Sequence, residues 1–358
     1  MAGLADHLRR RIEAQGPLSV AEYMADALGH PRFGYYMTRD PLGAAGDFIT
    51  APEISQMFGE LIGLWCVVQW RSMGAPDPFR LVELGPGRGT LMADILGAAN
   101  GADPEFTAAL RLHLVETSPT LRAAQEEALA SARPQPAWHD RLEDVAEGPL
   151  IVIANEFFDA LPVRQFERSH EGWRERLVDL EGDGFCFVLS PPLEAAPPLP
   201  PGLGRWRDGD VAEVSPSGLE IAAAIGGRLA ASSGAALIID YGHAESAAGD
   251  TLQAVKDHAY HGVLESPGEA DLTAHVDFAA LARAAAGAGA VVFGPMGQGA
   301  FLEALGIGAR AAALTRKAVP DQAREIAAAR ARLTGSMGEL FKVMAISTPG
   351  LPPPPGFD

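Results

Sequence analysis

Cysteine is almost absent: Cys66 and Cys186 are the only two in 358 residues, with no C-x-x-C and no framework spacing. That excludes a disulfide scaffold and reads as two small buried hydrophobes in a reducing compartment. Long apolar runs are missing too. The longest, around residues 61–68, is far too short to cross a bilayer, so no membrane insertion is expected. The opening MAGLADHLRRRIEAQG has no apolar segment of a secretory signal. Its three consecutive arginines suggest a mitochondrial presequence, but Asp6 and Glu13 argue against one, and a cytoplasmic location is expected. Positive charge is scarce: 28 Lys and Arg stand against 46 Asp and Glu, a net charge of −18. Phosphate contacts dominate nucleic-acid affinity, so this balance disfavours a nucleic-acid partner and suits a cationic one. The length allows one large domain or two, and the oligomeric state is left open.

What is present begins with ELGPGRGTL, residues 83–91. An apolar run (residues 79–84) precedes it and a helix-like segment (90–98) follows. Strand, glycine turn and helix together bring a nucleotide-like ligand against bare backbone. Gly85, Gly87 and Gly89 leave no side chain between chain and ligand, and Glu83 ends the strand where open α/β sheets bind ligands. A dinucleotide fingerprint reads G-x-G-x-x-G; here the third position is Thr90 and the last glycine comes one place early. Glu116 closes RLHLVE and can accept both hydroxyls of a ribose. There is no Lys-Ser/Thr of a P-loop, and Arg88 is the loop's single positive charge. A ligand without phosphates, S-adenosylmethionine, therefore suits the pattern better than NAD.

Residues 1–75 read as a helical N-terminal section. Leu4, Leu8 and Ile12 mark one helical face, and Ser19 with Glu22 has capping-box spacing. Thr50 and Glu53 repeat that spacing, followed by a stripe of Ile54, Met57, Phe58, Leu61, Ile62, Trp65 and Val68. Asp47, Thr50 and Glu53 crowd polar groups into the loop before it. From residue 79 strands and helices alternate, with near-continuous apolar strands at LIVIAN (150–155) and ALIID (236–240). This predicts a doubly wound α/β sheet over 76–162 and 215–347. Two insertions interrupt it: 163–214, β-rich with a proline-rich tether, and a lid-like 244–280. Residues 348–358 read as a disordered tail.

LIVIAN ends in NEFFDALPV, which places Asn155, Glu156 and Asp159 beside the reacting end of a ligand in the switch-point crevice. Asp240-Tyr241-Gly242-His243 follows the next strand in the same manner. In the second insertion, Asp271, Thr273, His275 and Asp277 precede a helical run. They read either as helix caps or as a lid presenting Asp271 and His275 to substrate. His258 and His261 have ligand-like spacing without a third ligand, so no metal is expected. A guanidinium acceptor stays protonated up to about pH 12 and matches a carboxylate at two points, so it needs at least two carboxylates. Glu53, Glu156, Asp159 and Asp271 can supply them. A catechol or metal-assisted transfer would instead need a metal set or a lysine base.

With these stretches on the page, the chain resembles the MidA family of S-adenosylmethionine-dependent methyltransferases over nearly its whole length. The carriers are GPLSVAEYM, HPRFGYY, GDFITAPEISQMFGELIG, ELGPGRGTLMADIL, HLVETSP, ANEFFDALPV, DLTAHVDF and GELFKVMAI, of which GDFITAPE with NEFFDALPV on one chain is the most specific. The resemblance implies a class I, Rossmann-like methyltransferase fold and S-adenosyl-L-methionine as cofactor. It puts the cofactor over Gly85, Gly87 and Gly89 with Glu116 on the ribose, and Pro86, Thr117, Asn155 and Thr50 complete the expected cofactor set. It further implies symmetric dimethylation of arginine on a protein substrate such as a respiratory complex I subunit, since the family includes a mitochondrial complex I assembly factor with that activity. A cofactor-binding assembly factor without essential catalysis, and transfer to another nucleophile, stay open as alternatives.

Overall fold

The computed structural model describes residues 3–39, 50–199 and 206–357; Asp47 and the end of the proline-rich stretch lie outside them. Its centre is a seven-stranded sheet: β1 Phe79–Leu84, β2 Leu110–Val115, β3 Ala137–His139, β4 Leu150–Asn155, β5 Gly234–His243, β6 Val291–Gly297 and β7 Phe341–Ser347. The spatial order is β3-β2-β1-β4-β5-β7-β6, parallel through β5, with β7 antiparallel to both neighbours. A two-residue strand, Val276–Asp277, also pairs with the end of β5. Chain order reverses between β1 and β4, so a crevice opens above their carboxyl ends.

Alternation along each strand explains why both faces are covered. Leu81, Ile151, Ile153, Leu237 and Ile239 face one layer with Ile62, Trp65 and Ile95. Val82, Val152, Ala154, Ala236 and Ile238 face the other, with Ile225 and Leu281. A separate core joins the N-terminal helices Leu4–Gln15 and Val20–Gly29 to the second insertion, through Leu8, Tyr23, Ala254 and Leu272. No helix among the described residues is long and apolar enough to cross a membrane.

The Ser19–Glu22 capping box forms, but its counterpart at Thr50 does not. Thr50 precedes a four-residue helix, Ala51–Ile54, without capping it by its side chain. Glu53 turns instead to Thr90, whose hydroxyl donates to Glu53 Oε1 at 2.6 Å. Ser55 is extended and starts a second helix, Gln56–Ser72, capping Met57 N. Its buried face runs through Cys66, Gln69 and Trp70, as the 3.6-residue period dictates, and leaves Val68 exposed. The first insertion forms Arg164–Ser169, Gly172–Glu181, Gly184–Leu189 and Val211–Val214, an antiparallel sheet that also takes in Leu18–Ser19. The second builds a small sheet in the order Ala259–His261, Gln253–Lys256, Asp271–Thr273. Neither Asp271 nor Thr273 caps the next helix; Asp277 does, its Oδ1 accepting from Ala280 N at 2.8 Å. The tail is not loose either: Phe357 packs on Phe301 with ring centroids 5.5 Å apart, so one aromatic contact anchors a proline-rich end.

The helix Gln56–Ser72 lies against Thr90–Ala102, the helix that leaves the glycine loop. Contact is close because a Cβ on Gly63 would stand 2.7 Å from the Ile95 carbonyl oxygen. Gly63→Val is expected to lower stability by about 1–3 kcal/mol, read as a lower urea midpoint with unchanged slope. An unchanged midpoint would mean the two helices do not need that approach.

Candidate functional site

A cavity of ≈ 560 Å³ fills the crevice above β1 and β4. Its floor begins with the glycine loop, where Gly85, Gly87 and Gly89 have φ of +60°, +54° and +84°. At Gly85 this is compulsory: an added Cβ would also lie 2.8 Å from the Phe157 ring. Glu83, at the end of β1, is 2% exposed, its Oε2 is buried without a hydrogen-bond partner, and burial pushes it up to about 8. Asn155 Oδ1 and Asp159 Oδ1 are buried and unpartnered too. All three residues line the cavity. Buried acceptors are normally satisfied, so orphans lining one cavity mark where a ligand's donors fit.

Glu116 follows directly on β2, with donors on both carboxylate oxygens. Ser118 N gives to Oε1 at 2.8 Å and Gln125 Nε2 to Oε2 at 3.2 Å. Gln125 also donates to the Gly87 carbonyl at 2.7 Å, and its own Oε1 accepts from Trp138 Nε1 at 2.9 Å. An indole N–H can only donate, so it fixes which end of the amide faces Glu116. Burial raises Glu116, opposed by hydrogen bonds from Ser118, Gln125 and Thr117. One fully buried glutamine thus ties the glycine loop to the acidic residue beside it. Gln125 carried no signal in the sequence beyond being a polar residue on an amphipathic helix.

The other side of the crevice is organised by Asp240. It is fully buried, and its Oδ2 accepts from three consecutive backbone N–H groups, Phe157 at 3.2 Å, Phe158 at 3.0 Å and Asp159 at 3.2 Å. Tyr241 N gives to Oδ1 at 2.9 Å. These bonds hold a turn that puts Glu156 at φ +51°, a conformation a glutamate keeps only when its surroundings enforce it. Glu156 Oε1 in turn accepts from Ala51 N at 3.0 Å and Asn155 Nδ2 at 3.1 Å. Burial lifts Glu156 to about 7, countered by the Ala51 bond and raised further by Asp159. Burial lifts Asp159 to about 6, against hydrogen bonds from Tyr241 and Ala160. Burial, then Asp159 and Glu156, push Asp240 well above the usual range.

At the far end, Asp271 is 5% exposed and its Oδ1 accepts from the Tyr36 hydroxyl at 2.7 Å. Tyr36 also reaches the Glu116 side, because its carbonyl accepts from Ser118 Oγ at 2.5 Å. The crevice therefore brings together Thr50, Glu53, Glu83, Gly85, Pro86, Gly87, Glu116, Thr117, Asn155, Glu156, Asp159 and Asp271 on its lining. It does not bring in Gly89, which packs beside Gln125 and Ala128, or His275. That ring packs on Tyr241 and His243, at 5.6 and 5.1 Å between centroids, and faces a separate cavity on the other side of the second insertion. Alternation alone would keep His275 beside Asp271 and Thr273, but the strand stops at Thr273; Ala274 N donates to the Asp159 carbonyl at 3.0 Å, and the chain beyond it leaves the crevice. Tyr36 lines it with no signal beyond the aromatic HPRFGYY stretch, and Tyr241 and Thr273, each met only within a longer motif, line it too.

The chain is similar to known proteins. A family model described as "Putative S-adenosyl-L-methionine-dependent methyltransferase" matches residues 61–296. A Danio rerio protein named protein arginine methyltransferase NDUFAF7, mitochondrial, is 40% identical over 367 residues, 95% of this chain and 86% of that protein. The Homo sapiens protein of the same name is 38% identical over 372 residues, 95% of this chain and 82% of its own. A Burkholderia thailandensis protein crystallised with S-adenosylhomocysteine superposes with a TM-score of 0.82 at 30% identity, covering 99% of this chain and 92% of that one. The cytoplasmic location expected from the N-terminal residues is overturned here, because these relatives are named as mitochondrial. Two acidic side chains were too weak a signal to set a compartment. Matched by the family model over most of its length, and by relatives near 40% identity over nearly all of it, the chain belongs to this family of S-adenosyl-L-methionine-dependent methyltransferases.

Proposed function

We propose that this methyltransferase acts on the guanidinium of arginine in a protein, with a respiratory complex I subunit as the acceptor suggested by the family resemblance. The printed names of the relatives support the arginine. The observation that carries the reading is the acid end of the crevice, where Glu156, Asp159 and Asp271 meet within one cavity. A guanidinium presents five donors in a planar fork and no acceptor, so a wall of carboxylates is its natural complement.

S-adenosylmethionine supplies an electrophilic methyl on a positively charged sulfur. The chain's own residues do the rest. Glu116, held from behind by Gln125 and Ser118, accepts the ribose hydroxyls. Gly85 and Gly87 give a bare surface for the adenosyl group, with Pro86 and Thr117 beside it. Glu83 and Asn155, with their orphaned oxygens, take the amino end, and Thr50 with Glu53 closes that side. Asp159 and Asp271 orient the acceptor nitrogen toward the methyl, and Glu156 fixes the Ala51 segment while adding negative charge. A carboxylate near neutrality, Asp159 or Glu156, can accept the proton the guanidinium gives up. His275, facing away, has no part in this.

Two outcomes test the assignment. Glu116→Gln, which keeps the shape but removes the charge and turns one acceptor into a donor, is expected to weaken S-adenosylhomocysteine binding about 10- to 100-fold by calorimetry. Undiminished binding would remove Glu116 from the cofactor site. The acids must be ionised to hold a guanidinium, and their pKa values stand near 7 and 6. Turnover is therefore expected to rise with pH from 5.5 and level off above about 7.5, falling roughly tenfold per unit between 7 and 6 and more steeply below 6, where the second acid is also protonated. Asp159→Asn should abolish turnover while leaving S-adenosylhomocysteine binding intact; a flat profile or an active variant would contradict these roles.

A further inference from the structure

The small sheet of the second insertion has two unlike faces, and its register says which residues share each. Asp271 pairs with Val255, and Val255 with Tyr260. Residues directly opposite in an antiparallel sheet stand on one face, so these three form a row across three strands. Gln253 and Thr273 form the row beside it. Gln253, Val255, Asp271 and Thr273 all line the crevice. The opposite face, with Ala254 and Leu272, is buried against the N-terminal helices.

Exposure climbs steeply along the row. Asp271 is 5% exposed at the acid end, whereas Tyr260, two strand spacings or about 10 Å away, is 85% exposed on the outer strand. The strands are joined by Asp257 and His258, with φ of +52° and +61°, the two-residue turn that makes the tightest hairpins. Lys256 fastens the hairpin to Glu269 at 2.8 Å. A large aromatic ring is thus held out in solvent on a braced hairpin, in line with a buried carboxylate.

We infer that this row is the docking track for the acceptor protein: an extended segment lies across Val255, its basic side chain reaches Asp271, and Tyr260 packs on the residues beside the target. The inference rests on the protein-arginine reading above. Charge complementarity selects the occupant, since the track descends into carboxylates in a chain of net charge −18. A free small acceptor would be swallowed by the crevice and never touch Tyr260. Tyrosine is moreover a residue that concentrates binding energy at protein interfaces.

The test uses the full chain with S-adenosylmethionine carrying a labelled methyl, and total protein extract from cells lacking this chain as acceptor. Initial rates are followed against extract concentration for the unaltered chain, Tyr260→Ala and Tyr260→Phe. The half-saturating concentration is expected to rise about 5- to 10-fold in Tyr260→Ala and to be largely restored in Tyr260→Phe. The saturating rate and S-adenosylhomocysteine binding should stay unchanged. An unaltered half-saturating concentration in Tyr260→Ala would overturn the track while leaving the arginine reading standing. Failure of the unaltered chain to label any protein would overturn both.

Discussion

Burying a carboxylate away from water costs several kcal/mol unless donors or a counter-charge make up the loss, and this crevice buries several at once. Asp240 is supplied by four backbone N–H groups. Glu156 receives two donors. Glu83 and Asp159 each keep one oxygen without any. Burial raises all four acids, so each binds its proton more tightly in the folded chain than in the unfolded one. For such groups, raising pH from about 4 toward 7 withdraws stability from the ligand-free fold. The fold keeps this arrangement in a site whose cofactor brings a positive sulfur and whose proposed acceptor brings a guanidinium.

The geometry that holds the acids is economical. One side chain, Asp240, gathers the N–H groups of the turn after β4 and so sets the directions of Glu156 and Asp159. A second, Gln125, joins the glycine loop to Glu116 and takes its orientation from Trp138. A third, Tyr36, spans from the Ser118 turn to Asp271 and joins the Glu116 side of the crevice to its acid end. Each connects elements far apart in sequence, which is why the site depends on the whole chain and not on one motif.

That also explains what sequence could and could not disclose. The central sheet was legible because parallel strands covered on both faces are continuous apolar runs, and LIVIAN and FRLVEL begin and end where the runs do. The glycine-loop side of the crevice was legible because Glu83, Glu116 and the glycines after the first strand fall at strand ends by local rules. Gln125 was not, since nothing local distinguishes a glutamine that meets Trp138 and Glu116 from one facing solvent. His275 was misplaced because an even spacing from Asp271 suits a shared face, and only the folded chain shows that the strand ends at Thr273, before His275. Thr50 and Glu53 had the letters of a capping box, but a tertiary bond to Thr90 outbid the local one.

These under-compensated acids are built to face positive charge. Calorimetry of S-adenosylmethionine and S-adenosylhomocysteine binding near pH 7, each in two buffers of different ionisation enthalpy, measures this directly. The two ligands differ by the sulfonium charge, so S-adenosylmethionine should drive more protons off the crevice carboxyls, by a sizeable fraction of one proton per site. Equal proton release for both ligands would show that the acids do not sense the sulfur, and would contradict the account.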